Sequence, residues 1–547
     1  MGSFLIRVYF LSVLSAGVLL DPSQGVTAEA EVAHSKTLSF GVYTHIRSTE
    51  MLKKMEPFRK YLEDAIADKG LTHSINMRIY PSYGRAIEAL AGGEVDFVRF
   101  GPVSYVLAKK KNPSIQLLAI ESNNGKKFFN GVLSVAAASK IQSIDQLRGE
   151  NIAFGSRKST TGRYLAQAEL VKAGIMAGDL SGHTYLGRHD KVVYAVASGK
   201  YAAGASNENT FNKYAKSKGL RKLLEFPCVT KPWVASGDLS QELVDSLRTI
   251  LLELQDPNVL KTIKRSGFLP GSDVDYNQIR HAMALAKQFD TETIRVATYA
   301  GERPSRVFAK VYPILKELEN YLDDNGWHVH FESRIYSTYA KAINAMANGL
   351  ADLARMGAAS YVLSKDKNDK LQLLVSEEVI GEPHHGVFVV KNSSKIRTIF
   401  DLKRASVAFG SKNSTLGSYV PKAELIKNGI KPEDLGSYGY LGRHDKVALG
   451  VYLENYDVGA MREETFNRYR EAKNLRSIHV YTAPYHAWVA AHHLDGELAH
   501  LLREGFIAIK DKQTFANINR TGFKMVDDSL YDQVREAIQL SKGFQDK

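Results

Sequence analysis

The sequence is nearly free of cysteine, since Cys228 is the single one among 547 residues. An internal disulfide is therefore impossible, and the stability of an exported form must come from cores large enough to do without covalent cross-links. Low-complexity tracts are also absent, and 44% hydrophobic and 24% charged residues are typical of an ordinary globular protein. The composition thus excludes a disordered or fibrous chain.

Long apolar runs are missing as well. The run at residues 8–20 holds thirteen residues, fewer than the roughly 20 that a membrane-spanning helix needs. Arg7 precedes it and small residues follow it, which predicts a secretory signal peptide over residues 1–28, cleaved near Ala28; a membrane anchor is the alternative. No cysteine directly follows the run, so a lipid anchor is excluded. We expect a mature protein that is free in solution outside the cytoplasm and does not span a membrane.

The positive charge of the chain is not concentrated anywhere. The net charge of +13 is spread along the sequence, without a basic tail or a stripe of arginine and aromatic residues. Nucleic acid is therefore not expected as a partner. The charge indicates only a weak preference for anionic ligands or surfaces.

Two motifs occur twice. Residues 153–162, AFGSRKSTTG, return as AFGSKNSTLG at 408–417, and YLGRHDKV at 185–192 returns unchanged at 440–447. Solenoid repeats run about 20 to 50 residues, so a period near 255 indicates two tandem domains rather than a solenoid. Each copy, at roughly 250 residues, is large enough for its own core or for two small lobes.

The register of the repeat covers most of both copies. Tyr83 and Tyr339 lie 256 residues apart, and Trp233 and Trp488 lie 255 apart. This places a signal segment at 1–28, a first domain at 37–287, a linker at 288–293 and a second domain at 294–542. We refer to the two domains as the first and second copy.

Each copy alternates short apolar runs with amphipathic stretches. In the first copy, Thr37 to Tyr43, Ile75 to Tyr80 and Asp96 to Phe100 read as strands, with helices predicted over Met51 to Ala67 and Tyr83 to Ala91. The pattern resumes after Gly131. It predicts an α/β fold with two lobes per copy, each a mostly parallel sheet with helices on both faces.

The first repeated motif is suited to an anion. A strand ends at Gly155 and a helix is expected from Gly162, so the loop between them offers hydroxyls and free N–H groups at a helix N-terminus. The residues expected against ligand oxygens are Ser159, Thr160 and Thr161, with Ser414 and Thr415 in the second copy. Plain helix capping is the alternative. No Gly-Lys-Ser/Thr triplet closes the loop, so nucleotide hydrolysis is disfavoured.

The second repeated motif has the same layout. Asp190 and Asp445 are predicted to be helix N-caps. His189 and His444 precede them, where an imidazole can donate to an anion or be buried without a ligand. Arg99, at the end of a strand, is expected either to supply charge or to pair with a carboxylate such as Asp96, with Arg355 and Asp352 as the counterparts.

Together these motifs resemble the phosphate, phosphite and phosphonate periplasmic binding proteins of ABC transporters, the phosphonate-binding family. The resemblance covers both copies and is carried by Ser82-Tyr-Gly-Arg-Ala-Ile87, Phe100-Gly-Pro-Val-Ser-Tyr105, Ser159-Thr-Thr-Gly162 and Gly187-Arg-His-Asp190.

The resemblance implies two tandem periplasmic-binding-protein type II domains, each with two α/β lobes around a ligand cleft. It also implies a periplasmic protein that binds a small oxyanion by lobe closure and delivers it to an ABC permease. The residues that would contact the phosphono group are Tyr83, Ser159, Thr160, Thr161 and His189 in the first copy and Tyr339, Ser414, Thr415 and His444 in the second.

The sequence departs from the family in ways that concern the ligand. Residues 226–233 and 481–488 contain no carboxylate that could hold an aminoalkyl group. Leu416 replaces Thr161, and two histidines at 384–385 replace Phe129 and Asn130, so the pockets need not prefer one molecule.

The sequence leaves three other functions open. A ligand sensor acting on a membrane histidine kinase shares the same fold. A phosphoester hydrolase would use Ser159 as nucleophile and His189 as base. A metal site would use four histidines, 384, 385, 492 and 493. The favoured prediction is a binding protein with neither catalytic residues, nor metal, nor cofactor.

Overall fold

A computed structural model of the chain describes residues 36–43, 47–71, 73–299 and 303–544. Four sheets are present, and the strands of each come from one copy. The α/β fold class with two lobes per copy is therefore confirmed. The signal peptide predicted at 1–28 lies outside the described residues.

Among its described residues, the first copy contains eleven strands and nine α-helices. The strands are β1 Lys36–Tyr43, β2 His73–Tyr80, β3 Phe97–Arg99, β4 Gln116–Ser122, β5 Phe128–Ala136, β6 Asn151–Phe154, β7 Gly182–Tyr185, β8 Ala203–Asn207, β9 Leu220–Val229, β10 Pro232–Ala235 and β11 Gly267–Leu269. The helices are α1 Ser48–Asp68, α2 Tyr83–Ala91, α3 Pro102–Lys111, α4 Leu165–Lys172, α5 His189–Ala197, α6 Glu208–Lys218, α7 Gln241–Glu253, α8 Pro257–Ile263 and α9 Asn277–Phe289.

The second copy repeats this order element by element. Its strands are β12 Glu292–Tyr299, β13 Val329–Tyr336, β14 Leu353–Met356, β15 Gln372–Glu378, β16 His384–Lys391, β17 Ser406–Phe409, β18 Ser437–Tyr440, β19 Val458–Arg462, β20 Leu475–Ala483, β21 Ala487–Ala490 and β22 Gly522–Lys524. Its helices are α10 Pro304–Asp324, α11 Tyr339–Ala347, α12 Ala358–Lys367, α13 Val420–Lys427, α14 His444–Tyr452, α15 Glu463–Tyr469, α16 Gly496–Ala508, α17 Lys512–Ala516 and α18 Asp532–Leu540.

The lobes of a copy differ in strand order. In the first copy the N-lobe sheet runs β11-β4-β10-β3-β1-β2 and the C-lobe sheet runs β7-β6-β8-β5-β9, and the second copy has the equivalent orders. The chain leaves the N-lobe after β4 and returns to it at β10, so two neighbouring segments form the hinge. The segment predicted as a linker, 288–293, overlaps the end of α9 and the start of β12.

The prediction of mostly parallel sheets is wrong. Strands β2 and β3 pair parallel with β1, but β10 is antiparallel to both of its neighbours. In the C-lobe, β5 is likewise antiparallel to both of its partners. Both sheets are mixed because the strands that connect the lobes, β5 and β10, run antiparallel to the strands of the β-α-β unit in each sheet.

The core of each lobe follows from the strand pattern. Residues 38–42 of β1 are all buried, because helices cover both faces of this sheet. Trp233 of β10 stacks on Phe40 and Phe58, with ring centroids 5.0 and 4.7 Å apart. A second apolar cluster contains Val103 of α3 and Phe154 of β6, and so joins the two lobes. The two lobes of the first copy are therefore in contact through this cluster.

Candidate anion-binding site

The predicted anion loop leads from β6 into a π-helical turn at Thr160–Tyr164, which continues as α4. Ser159 accepts a hydrogen bond from the Gly162 N–H at 3.0 Å, and Ser414 accepts one from the Gly417 N–H at 3.1 Å. The expectation of helix capping is thus confirmed in both copies. Capping uses only acceptor capacity, so each hydroxyl proton can still be donated to a ligand.

The glycines of the motif permit close packing beneath the loop. The Gly155 N–H donates to the Gly162 carbonyl at 2.7 Å. A Cβ at Gly162 would lie 2.8 Å from both the Ser159 Oγ and the His189 Cε1. Ser159 and His189 thus meet over Gly162, with 3.5 Å between Oγ and Nε2.

Thr160 and Thr415 connect the two lobes of their copies. The Val103 N–H at the start of α3 donates to the Thr160 Oγ1 at 3.2 Å, and the Ala359 N–H at the start of α12 donates to the Thr415 Oγ1 at 2.9 Å. In each copy, the N-terminus of an N-lobe helix therefore faces the N-terminus of the helix that follows the C-lobe anion loop. Both carry the positive end of a helix dipole.

The remaining wall is aromatic. Tyr83 packs against Tyr43 with ring centroids 4.0 Å apart, and Tyr339 packs against Tyr299 at 3.8 Å, with the rings of each pair tilted. Burial raises the pKa of Tyr43 well above its usual value, so its hydroxyl is a neutral donor. Sequence reasoning missed Tyr43 and Tyr299, although both end a strand at the sheet edge where ligands of α/β folds bind.

A cavity of ≈ 140 Å³ lies between the lobes of the second copy. All four residues predicted for this copy line it: Tyr339, Ser414, Thr415 and His444. Leu416, the counterpart of Thr161, lines it too, while Thr161 itself is buried in the first copy. Further lining residues that the sequence did not suggest are Tyr299, Gly357, Arg462, Glu464, Tyr485, His486 and Arg520.

His444 is held as a neutral hydrogen-bond donor. The backbone N–H of Arg462 donates to the His444 Nδ1 at 3.3 Å, so the imidazole proton is on Nε2. Burial, reinforced by the charge of Arg462, lowers the pKa of His444 to about 3. The imidazole can thus donate to an anion without carrying a charge of its own.

A buried ion cluster adjoins each cleft. The Glu121 carboxylate, 0% exposed, accepts from the Arg99 Nε at 2.5 Å, from the Trp233 Nε1 at 3.2 Å and lies 3.0 Å from the Arg265 Nε. Burial opposes the ionisation of Glu121, but the two arginines hold its pKa below the usual range. Two arginines on one glutamate leave a net positive charge.

The second copy contains the same cluster, formed by Arg355, Glu377 and Arg520. Arg99 and Arg355 do pair with carboxylates, but their partners are Glu121 and Glu377 rather than Asp96 and Asp352. Asp96 instead accepts from the Ser39 backbone N–H at 2.7 Å, and Asp352 pairs with Arg295 at 2.6 Å. The glutamate partners lie on β4 and β15, two strands away in each sheet, beyond the reach of a local pairing argument.

The predicted N-cap role of Asp190 and Asp445 is also wrong. The helices begin at His189 and His444, so each aspartate lies within the first turn. Asp190 pairs with Arg188 at 2.5 Å, and Asp445 pairs with Arg443. These carboxylates therefore do not orient the histidines as a hydrolase would require.

The four histidines considered for a metal have other contacts. His384 stacks on Tyr485 at 4.6 Å, His385 pairs with Glu463 at 3.1 Å and His493 pairs with Asp352 at 2.8 Å. Within the described ranges, no group of three or more potential metal ligands comes together. Over the same residues, no helix is both long and apolar enough to cross a bilayer.

The mouth of the first cleft abuts the second copy. A cavity of ≈ 500 Å³ is lined by Tyr83, Ser156 and Lys158 of the first copy and by Tyr321 and Asn325 of the second, among others. The Lys158 ammonium donates to the Asn325 Oδ1 at 2.8 Å. Burial lowers the pKa of Lys158 to about 8.

Two arginines complete what we call the inter-copy clamp, the contacts of residues 157–163 with 325–327. The Arg157 guanidinium lies 3.3 Å from the ring centroid of Trp327. The Arg163 Nη1 donates to the Gly326 carbonyl at 2.5 Å and to the Arg157 carbonyl at 2.6 Å. Gly326 has a φ of +81°, and a Cβ there would lie 3.0 Å from the Arg157 carbonyl oxygen. The clamp therefore holds the backbone of the first anion loop.

One family model matches both copies. The family model described as "ABC transporter, phosphonate, periplasmic substrate-binding protein" matches residues 40–276 and 296–531. The phosphate-import protein PhnD of Mycolicibacterium smegmatis is 24% identical over 294 residues, covering 48% of this chain and 88% of that protein. A probable ABC transporter phosphite-binding protein, PhnD1 of Prochlorococcus marinus, is 28% identical over 190 residues, covering 32% of this chain and 64% of its own length.

Solved structures resemble the chain as well. PhnD1 of Prochlorococcus marinus in complex with methylphosphonate has a TM-score of 0.40 and 23% identity, covering 46% of this chain and 97% of that one. A binding protein component of an ABC phosphonate transporter from Pseudomonas aeruginosa has a TM-score of 0.41 and 21% identity, covering 46% and 87%.

Proposed function

The chain belongs to the periplasmic substrate-binding proteins of phosphonate ABC transporters, and on this premise we propose that each copy closes its lobes on one tetrahedral phosphorus oxyanion. The ligand is a phosphonate, phosphite or phosphate. After export directed by residues 1–28, the closed form is presented to a membrane permease outside the cytoplasm. Residues 37–287 and 294–542 act as the two binding units.

The observation that carries this proposal is the second-copy cavity, because the donors predicted from the repeated motifs converge on it. They are hydroxyls, a neutral imidazole and two helix N-termini. Four charge-assisted hydrogen bonds at roughly 2 kcal/mol each sum to about 8 kcal/mol, or a Kd near 1 μM before ordering costs. Micromolar capture without a metal is therefore within reach of this site.

The proposed contacts in the first copy are Tyr83, Ser159, Thr160, Thr161 and His189, and in the second Tyr339, Ser414, Thr415 and His444. Ser159 and Ser414 donate their hydroxyl protons to ligand oxygens. Thr160 and Thr415 are directly affected when the lobes close, because each hydroxyl accepts a hydrogen bond from a backbone N–H of the opposite lobe.

Titration calorimetry of the full chain with phosphate, phosphite, methylphosphonate and sulfate tests the proposal. We expect two binding sites for at least one phosphorus oxyanion, with no product released. Gly162→Ala should displace Ser159 and His189 and remove one site, and Gly417→Ala should remove the other. Absence of binding by all four anions would reject the proposal, and turnover of a phosphate ester would favour the hydrolase.

A further inference from the structure

Lys231 lies on the hinge of the first copy, between β9 and β10. Its backbone carbonyl accepts from the Glu121 N–H at 3.0 Å, which fixes the segment beside β4. Its ammonium nitrogen lies 5.9 Å from the ring centroid of Tyr43, and that ring packs against Tyr83. The amine is therefore at the base of the cleft, beside the aromatic wall of the proposed site.

The second copy has His486 at this position. Its backbone carbonyl accepts from the Glu377 N–H at 2.9 Å, as Lys231 does in the first copy. The side chain lines the second cavity, with its Nε2 3.5 Å from the Tyr299 hydroxyl. Burial lowers the pKa of His486 well below its usual value, so this position carries no charge at neutral pH.

The groups that face Lys231 come from several elements: Lys54 on α1, Tyr43 on β1, Arg99 on β3, Glu121 on β4 and Arg265 after α8. Burial, with a smaller contribution from Arg99, lowers the pKa of Lys231 to about 7. The groups around Lys231 carry more positive than negative charge, and an anion in the cleft would reduce this excess. Ligand binding and protonation of Lys231 therefore favour each other.

We infer that the residue at this hinge position sets the charge of the anion that each cleft selects: Lys231 makes the first copy selective for a doubly ionised oxyanion, whereas His486 lets the second copy accept the singly ionised form. This inference rests on the proposed function. Beyond the arginine–glutamate cluster that both copies share, the ammonium adds a second positive charge to the first cleft. In the second cleft, Lys310 and Arg468 have cationic counterparts in the first copy, Lys54 and Lys213. The additional Arg462 is offset by Glu464, 3.8 Å away.

The inference fixes the sign of a pH effect. Below about pH 7 Lys231 is already protonated and attracts the anion. At higher pH the free protein loses this proton and must regain it on binding, so the contribution of Lys231 falls about tenfold per pH unit. This decline ends at the pKa of Lys231 in the complex, which is higher than in the free protein.

The test is calorimetry with inorganic phosphate between pH 6 and 9 on full-length Gly417→Ala protein, compared with the same protein carrying Lys231→Met. The titration of phosphate affects the Kd values of both proteins, whereas the titration of Lys231 affects only the first. We expect Lys231→Met to weaken binding at least tenfold at pH 6, and the ratio of the two Kd values to shrink above pH 7. Buffers of different ionisation enthalpy should show proton uptake near pH 8 that the variant lacks.

A reciprocal variant guards against misfolding of Lys231→Met. His486→Lys in full-length Gly162→Ala protein should introduce the same proton uptake into the second copy. A Kd ratio that does not change with pH, together with no gain of uptake in His486→Lys, would overturn the inference while binding itself persisted. Loss of phosphate, phosphite and methylphosphonate binding by the unmodified protein would instead reject the proposed function.

Discussion

Arg163→Met tests whether the inter-copy clamp supports ligand binding in the first copy. Arg163 is 1% exposed, and its guanidinium donates to the Arg157 carbonyl in the anion loop and to the Gly326 carbonyl in the second copy. Methionine retains part of the apolar stem but donates to neither carbonyl. The second copy has Ser418 at this position and so serves as an internal reference.

The magnitude follows from the hydrogen bonds that are lost. A bond from a charged donor contributes about 1.5–3 kcal/mol. If one of the two is needed to hold the loop that carries Ser159, the Kd of the first site should rise about 10- to 100-fold, at 1.4 kcal/mol per factor of ten. The second site should keep its affinity.

Calorimetry with phosphate resolves the two sites when Gly417→Ala or Gly162→Ala leaves one of them active. Lys172→Met is the matched control, because it removes the same charge from an exposed side chain on the following helix. The reasoning would be refuted if Arg163→Met left the first-site Kd unchanged, or if it weakened both sites equally and thereby revealed a general loss of stability.

Two further predictions concern stability and pH. Glu121→Gln leaves the charges of Arg99 and Arg265 uncompensated and should cost about 3–5 kcal/mol in unfolding free energy; denaturant unfolding measures this, and a loss no larger than that of the surface variant Glu94→Gln would contradict it. Because the pKa of His444 is about 3, its imidazole stays neutral from pH 5 to 8. Second-site Kd values of the unmodified protein and of His444→Gln should therefore follow parallel pH profiles, and an affinity gain below pH 6.5 confined to the unmodified protein would show a cationic imidazole instead.

Much of the architecture could be predicted because the signals are local. Residues Tyr83 to Ala91 form a helix with the predicted bounds, since Ser82 caps it and Ala86 and Leu90 place an apolar stripe on one face. The strand expected to end at Gly155 is β6, Asn151–Phe154, which ends one residue earlier. Repetition of the motifs then identified both anion loops, because each loop is formed by consecutive residues.

What could not be predicted depends on residues distant in sequence. Arg99, Glu121 and Arg265 meet only once β3, β4 and the segment after α8 are assembled. Strand β10 is antiparallel because the chain returns through the hinge at this point, and the periodicity of apolar residues does not reveal the direction of a strand. Lys231 is an ordinary charged residue in the sequence, and its position at the cleft becomes apparent only beside Tyr43.

The inter-copy clamp joins a C-lobe surface of one half to an N-lobe surface of the other, so the halves are arranged head to tail rather than about a twofold axis. Such heterologous contacts leave an unused surface of each kind at the two ends, and identical units could add one after another into a filament. Here the ends have diverged. Ser418 stands where Arg163 would be needed, and Lys69 and Leu71 stand in place of Asn325 and Trp327. These substitutions remove the side chains that form the clamp, so the same contacts cannot recur between one molecule and the next.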